Sequence, residues 1–154
     1  MTAAEVTSGP PREKPIRRLP ARRAIQFSGA ILYVRDVKAS LSFYEKAFGL
    51  KTSFVSDDAS FGALETGTAL LGFASITQSK KNWPGGVRET DPRATPPANE
   101  VGFATEDVEA AYQRAVAAGA TTLAKPEKTP WGQTTCFVRD LDGHVVDIST
   151  PWAP

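Results

Sequence analysis

The chain holds one cysteine and one histidine, Cys136 and His144, and their settings limit the chemistry at once. A thiol attacks only as the thiolate, which needs a base or cation beside it. His144 directly follows the turn Asp140-Leu141-Asp142-Gly143, so it reads as a solvated turn histidine rather than a base for Cys136. Cys136 lies in an alternating segment and is expected to be a half-buried strand residue. A single histidine also falls short of the two that a facial-triad iron oxygenase requires. The carboxylates with a distinct setting are Glu100 and Asp147. Glu100 is out of phase with Val101 and Phe103, and Asp147 is flanked by Val146 and Ile148, so both should point away from the apolar side of their strands.

These side chains sit on a pattern that occurs twice. From Phe27, the residues Ala30, Leu32 and Val34 alternate with Gly29, Ile31 and Tyr33, which predicts a two-faced strand. Asp36 occupies a helix N-cap position, Val37, Leu41, Tyr44 and Phe48 form an apolar stripe, and Gly49 supplies a left-handed stop. Short strands are expected at 52–56, 60–65 and 68–76. The order returns with Val101 and Phe103, the N-cap Asp107, the stripe Val108, Ala111, Tyr112, Ala115 and Val116, and Gly119. Strands at 121–124, 133–139 and 144–150 follow, the last two joined by the Asp140-Leu141-Asp142-Gly143 turn. Setting Asp36 over Asp107 places Gly29 on Glu100, and a one-residue gap brings Gly49 onto Gly119, as an internal repeat requires.

The repeat divides the 154 residues into a basic, proline-rich leader (1–26), a first module (27–78), a linker or lid loop (79–98) and a second module (99–152). The leader carries six basic residues against Glu5 and Glu13, whereas the remainder carries twelve basic against fifteen acidic. Its arginines are interrupted by Pro11, Pro15 and Pro20 and have no aromatic partners, so nucleic-acid binding is not expected, and a solvated leader or subunit clasp is. No run reaches the ~18 apolar residues of a membrane span, and no apolar run with a cleavage site marks the N-terminus. A soluble, cytoplasmic protein is expected, in keeping with its lone cysteine. Within the proline-rich linker, Trp83 reads as an aromatic anchor pinning the loop, with a lid over a ligand as the alternative.

Tyr33-Val34-Arg35-Asp36-Val37, Ser42-Phe43-Tyr44 and Phe48-Gly49-Leu50 resemble the opening of a vicinal oxygen chelate protein, the superfamily of glyoxalases, bleomycin-resistance proteins and extradiol dioxygenases. Gly102-Phe103, Ala118-Gly119-Ala120, Pro130-Trp131-Gly132-Gln133 and Val138-Arg139-Asp140-Leu141-Asp142-Gly143 resemble its second module in order and spacing, with Leu141 where the family usually has proline. The resemblance covers residues 27 to 152. It implies an α+β fold of two tandem βαβββ modules, whose eight strands curve into a cup with the helices outside. It also implies a ligand in the cup and a homodimer in which modules of both subunits can frame each cavity.

In metal-using members, four ligands come from the first and last strands of each module, and the resemblance places them at Gly29, about Leu71, Glu100 and Asp147. Gly29 and Leu71, with its neighbours Leu70 and Gly72, offer no donor atom. No metal cofactor is therefore expected, although Glu100 and Asp147 leave room for a weak divalent site taking Mg²⁺, Mn²⁺, Zn²⁺ or Ni²⁺. Tyr33 shares the parity of Gly29 and should project into the cup. Phe54, Phe61, Trp131 and Phe137 are further candidates for ligand-binding walls, beside Glu100 and Asp147. The reading is a metal-independent binder of an apolar or aromatic small molecule. Its alternative is a lyase, isomerase or epimerase of the glyoxalase kind, with a divalent metal or with Glu100 as catalytic base.

Overall fold

The structure, a computed structural model, describes residues 25–67 and 69–152, so the leader, expected as a clasp or solvated tail, lies almost wholly outside the described residues. The first module comprises β1 (Gly29–Val34), α1 (Val37–Phe48), β2 (Thr52–Val55), β3 (Phe61–Leu64) and β4 (Leu70–Ser75). A short helix α2 (Ile76–Asn82) opens the linker. The second module comprises β5 (Glu100–Ala104), α3 (Val108–Ala117), β6 (Thr121–Lys128), β7 (Thr134–Arg139) and β8 (Val145–Ser149).

The eight strands form two four-stranded mixed sheets of equivalent order, β1-β4-β3-β2 and β5-β8-β7-β6. In each, the first strand runs parallel to the last, Gly29 opposite Leu70 and Glu100 opposite Val145. The helices begin where local chemistry dictates: the Asp36 and Asp107 carboxylates each accept a first-turn N–H at 2.9 Å, from Ala39 and Ala110. Gly49, at φ 67°, ends α1.

Leu32, Val34 and Phe73 from one module and Val138, Val146 and Ile148 from the other join the apolar stripes of α1 and α3 in a single buried cluster. Phe48 of α1 stacks on Phe103 of β5 with ring centroids 4.6 Å apart, so the helix of one module finishes the core of the other. The alternation 'exposed, half-buried' along β5 follows the predicted phase, with Val101 and Phe103 packed inward and Glu100 outward.

Two linker and strand boundaries differ from expectation. Helix α2 occupies the end of the predicted fourth strand and the start of the linker, because the Ser75 hydroxyl accepts the Gln78 N–H at 3.2 Å and caps it. Strand β6 runs on past the expected end at 124, through Pro126 to Lys128; it is an outer strand, and its register shifts between Ala124 and Glu127, so Pro126 falls where no ladder partner stands.

Candidate functional site

The face of the first sheet that no described helix covers is built around a glycine, Gly72. A Cβ added to Gly72 would lie 2.9 Å from Phe61 Cζ and 3.4 Å from Ile31 Cγ1, so the Phe61 ring lies across Gly72, beside Ile31. Phe54, opposite Ala63 in the ladder, tilts against Phe61 at 6.5 Å. Ile31 and Phe54 are 45% and 44% exposed, unusual for large apolar residues inside strands, and together with Phe61 they form an apolar platform. Tyr33 closes one end of it. Its hydroxyl accepts the Asn82 amide at 3.1 Å, and its ring meets Trp83 edge-on at 5.5 Å. Trp83 in turn donates from Nε1 to the Gly86 carbonyl, so it fixes the linker onto Tyr33 as an anchor would.

On the second sheet, the register sets Gly102, Asp147 and Phe137 in one row across β5, β8 and β7. Asp147 accepts the Thr135 hydroxyl at 2.7 Å and the Ser149 hydroxyl at 3.3 Å, which fixes its carboxylate above the sheet. Glu100 lies on the same face of the sheet, one alternate position before Gly102. It is exposed and borders a cleft of about 460 Å³ beside Phe27, Ala30, Leu70 and Phe103, where it is the sole charged residue among the described ones. Tyr33, Phe54, Phe61, Trp131, Phe137 and Asp147 do not line that cleft. Trp131 is 64% exposed in the β6–β7 turn and donates to the Gln133 side chain at 2.9 Å. The proposed wall residues thus occupy two sheet faces, one per module, and one chain does not gather them into a single pocket among the clefts described.

A family model for the glyoxalase/bleomycin resistance protein/dioxygenase superfamily matches residues 26–148. The chain belongs to this superfamily. Among solved structures, a glyoxalase-related enzyme from Fulvimarina pelagi superposes with a TM-score of 0.72 at 22% identity, covering 82% of this chain and 88% of that one. A protein of unknown function from Agrobacterium tumefaciens str. C58 gives 0.68 at 27% identity over 84% and 97%. A glyoxalase/bleomycin resistance protein/dioxygenase family enzyme from Burkholderia phytofirmans PsJN gives 0.63 at 23% over 80% and 96%. No curated protein matches the sequence significantly.

The residues at the superfamily's metal-ligand positions do not fit such a centre. A Cβ at Gly29 would fall 2.2 Å from the Leu70 carbonyl oxygen, so the first position has no room for any side chain. Leu71 is buried in the core, and its neighbours on the open face are Leu70 and Gly72. Only Glu100 and Asp147 carry donors, and among the described residues no group of three or more His, Cys, Asp or Glu is placed to hold a metal.

Two expectations are corrected. His144 is not a solvated turn residue: it is 8% exposed, and its Nε2 donates to the Tyr33 carbonyl at 2.9 Å across the module boundary. Cys136 is fully rather than half buried, and burial pushes its thiol up to about 11, with Asp147 and Glu109 adding to the effect. Sequence reasoning missed the lock around that hairpin. The Tyr44 hydroxyl donates to Asp140 at 2.8 Å, and Asp142 accepts both the backbone N–H and the guanidinium of Arg35, at 2.9 and 3.0 Å. Burial pushes the Asp140 carboxyl up, against the opposing pull of His144 and the Tyr44 hydroxyl. The unusual density of acids in Asp140-Leu141-Asp142 was the available signal, and a turn explained it just as well.

Proposed function

We propose that the protein binds a flat apolar or aromatic small molecule on the uncovered sheet faces without using a metal, in a sequestering, resistance-type role. The observation that carries this reading is the Phe61 ring laid across Gly72 beside Ile31: a level apolar surface offers stacking area and no group that reacts. Because the wall residues lie on two faces, a second chain supplies the opposite wall, and the working unit is a homodimer. The reading takes the protein as cytoplasmic, where the lone buried Cys136 stays reduced.

The test is a thermal-shift screen of aromatic metabolites and glycopeptide drugs, followed by titration of any hit against F61A and G72V. Binding that weakens at least tenfold in both variants, with light scattering reporting a dimer, supports the reading. A flat response across a broad panel, or a hit indifferent to both substitutions, refutes it. A second reading draws on Glu100 as the sole charge among the described residues of its cleft, a setting suited to a general base that removes a proton next to a carbonyl. Stoichiometric Mn²⁺, Zn²⁺ or Ni²⁺ binding lost in E100A favours a metal-dependent lyase or isomerase instead of the binder.

A further inference from the structure

The linker roofs a cavity of about 420 Å³ against the end of β7, with Pro96 and Pro97 as apolar walls. Its floor includes Arg139, which is only 3% exposed. Four of the five guanidinium N–H groups are spent on backbone carbonyls: Nε on Gly143 at 2.9 Å, Nη1 on Pro92 at 2.9 Å and on Ala94 at 2.5 Å, and Nη2 on Asp91 at 2.9 Å. Carbonyls satisfy hydrogen bonds but bring no net charge. Among the described residues no carboxylate forms an ion pair with Arg139, although a buried charge normally has a partner of opposite sign.

Among the described residues, two further groups at the cavity lack partners. The Thr90 hydroxyl oxygen is buried with no hydrogen bond. Arg88 is exposed on the rim, with no ion pair among the described residues. The acids that border the same space are already held: Glu89 by Arg35 at 3.5 Å, and Asp91 by the backbone N–H of Arg93 at 2.9 Å and its side chain at 3.6 Å.

We infer that this cavity is a second ligand site, which takes the oxyanion of a small molecule, a phosphate or carboxylate group, between Arg88, Arg139 and the Thr90 hydroxyl. Guanidinium groups suit the planar or forked oxygens of such anions. Ladder register sets Arg139, Val145 and Glu100 in one row of the second sheet, so the cavity lies two rows beyond Phe137 and Asp147. The site needs neither a second chain nor the Phe61 platform, so it stands or falls separately from the binding reading above.

The experiment is a titration of the ¹⁵N-labelled full chain with inorganic phosphate and, separately, with acetate, at ionic strength held constant with chloride. Saturable shifts of the Arg88 and Thr90 amides are expected for at least one anion, and which one saturates identifies the oxyanion class. Affinity should fall about tenfold in R88Q, from loss of one charge-assisted hydrogen bond, and fall also in T90V. R114Q, which alters an exposed arginine of α3 away from the lining, should bind as the parent does. The inference is overturned if neither anion saturates, or if R88Q and T90V bind as tightly as the parent.

Discussion

Removing one oxygen from the module boundary gives a direct measure of how the two halves are held. Tyr44 is completely buried, and its ring packs against Phe43, Phe48, Phe73 and Phe103 at centroid distances of 4.9 to 6.1 Å. Y44F keeps those contacts and deletes the 2.8 Å hydrogen bond to Asp140. The Asp140 Oδ1 atom retains the Asp142 and His144 backbone N–H groups, so only Oδ2 loses its donor. A buried hydrogen bond to a carboxylate is worth about 2 kcal/mol, which in a chain of this size lowers the thermal midpoint by roughly 4–8 °C. The difference should also depend on pH. Burial and the neighbouring Asp140 raise the Tyr44 phenol well above its ordinary value. A raised group contributes stability that is complete below its unfolded pKa of about 10 and is lost as pH climbs beyond it. Y44F lacks that liability, so the gap between parent and variant must narrow above pH ~10. Urea melts of both proteins from neutral to alkaline pH provide the assay. A loss below about 0.5 kcal/mol at neutral pH, less than an ordinary hydrogen bond, or a gap that widens with pH, would refute the account.

Other consequences follow from the same geometry. D142A removes the acceptor for Arg35 at a side chain only 6% exposed; because Arg35 is itself 46% exposed, the cost should be about 2 kcal/mol rather than that of a fully buried pair, measurable by urea melts. G29A forces a Cβ onto the Leu70 carbonyl and should cost about 1–3 kcal/mol, read by the same melts; an unchanged midpoint would show that β1 and β4 can part there. Cys136, with its thiol raised to about 11, should react slowly with an aromatic disulfide reagent at pH ~8 in the native protein and rapidly in urea, followed by absorbance.

What was legible in the sequence was local. Asp36 and Asp107 act on N–H groups three residues away, so their roles follow from spacing alone, and the phase of Val101 and Phe103 against Glu100 needs nothing beyond one strand. The vacancy at Gly29 was readable as a missing donor, but not as a close approach by Leu70, which depends on how β1 and β4 pair. The burial of His144 is not legible locally because its partner, the Tyr33 carbonyl, is 111 residues distant in sequence. Arg139 lay in a family-like segment, and nothing adjacent to it announced that it would gather the linker's carbonyls at Asp91, Pro92 and Ala94. Helix α2 was hidden because its cap, Ser75, also ends a strand.

The hairpin that carries Asp140 and Asp142 grips α1, but the corresponding connection of the first module, residues 65–69, contains no aspartate with which to grip α3. The duplication is therefore unequal. A second module released on its own would expose two acids shaped for a partner, whereas a first module would lose the residue that covers Phe48. Coexpressed halves cut at Gly85-Gly86 should accordingly find each other rather than themselves, and a chain made of two first modules would have no lock to close.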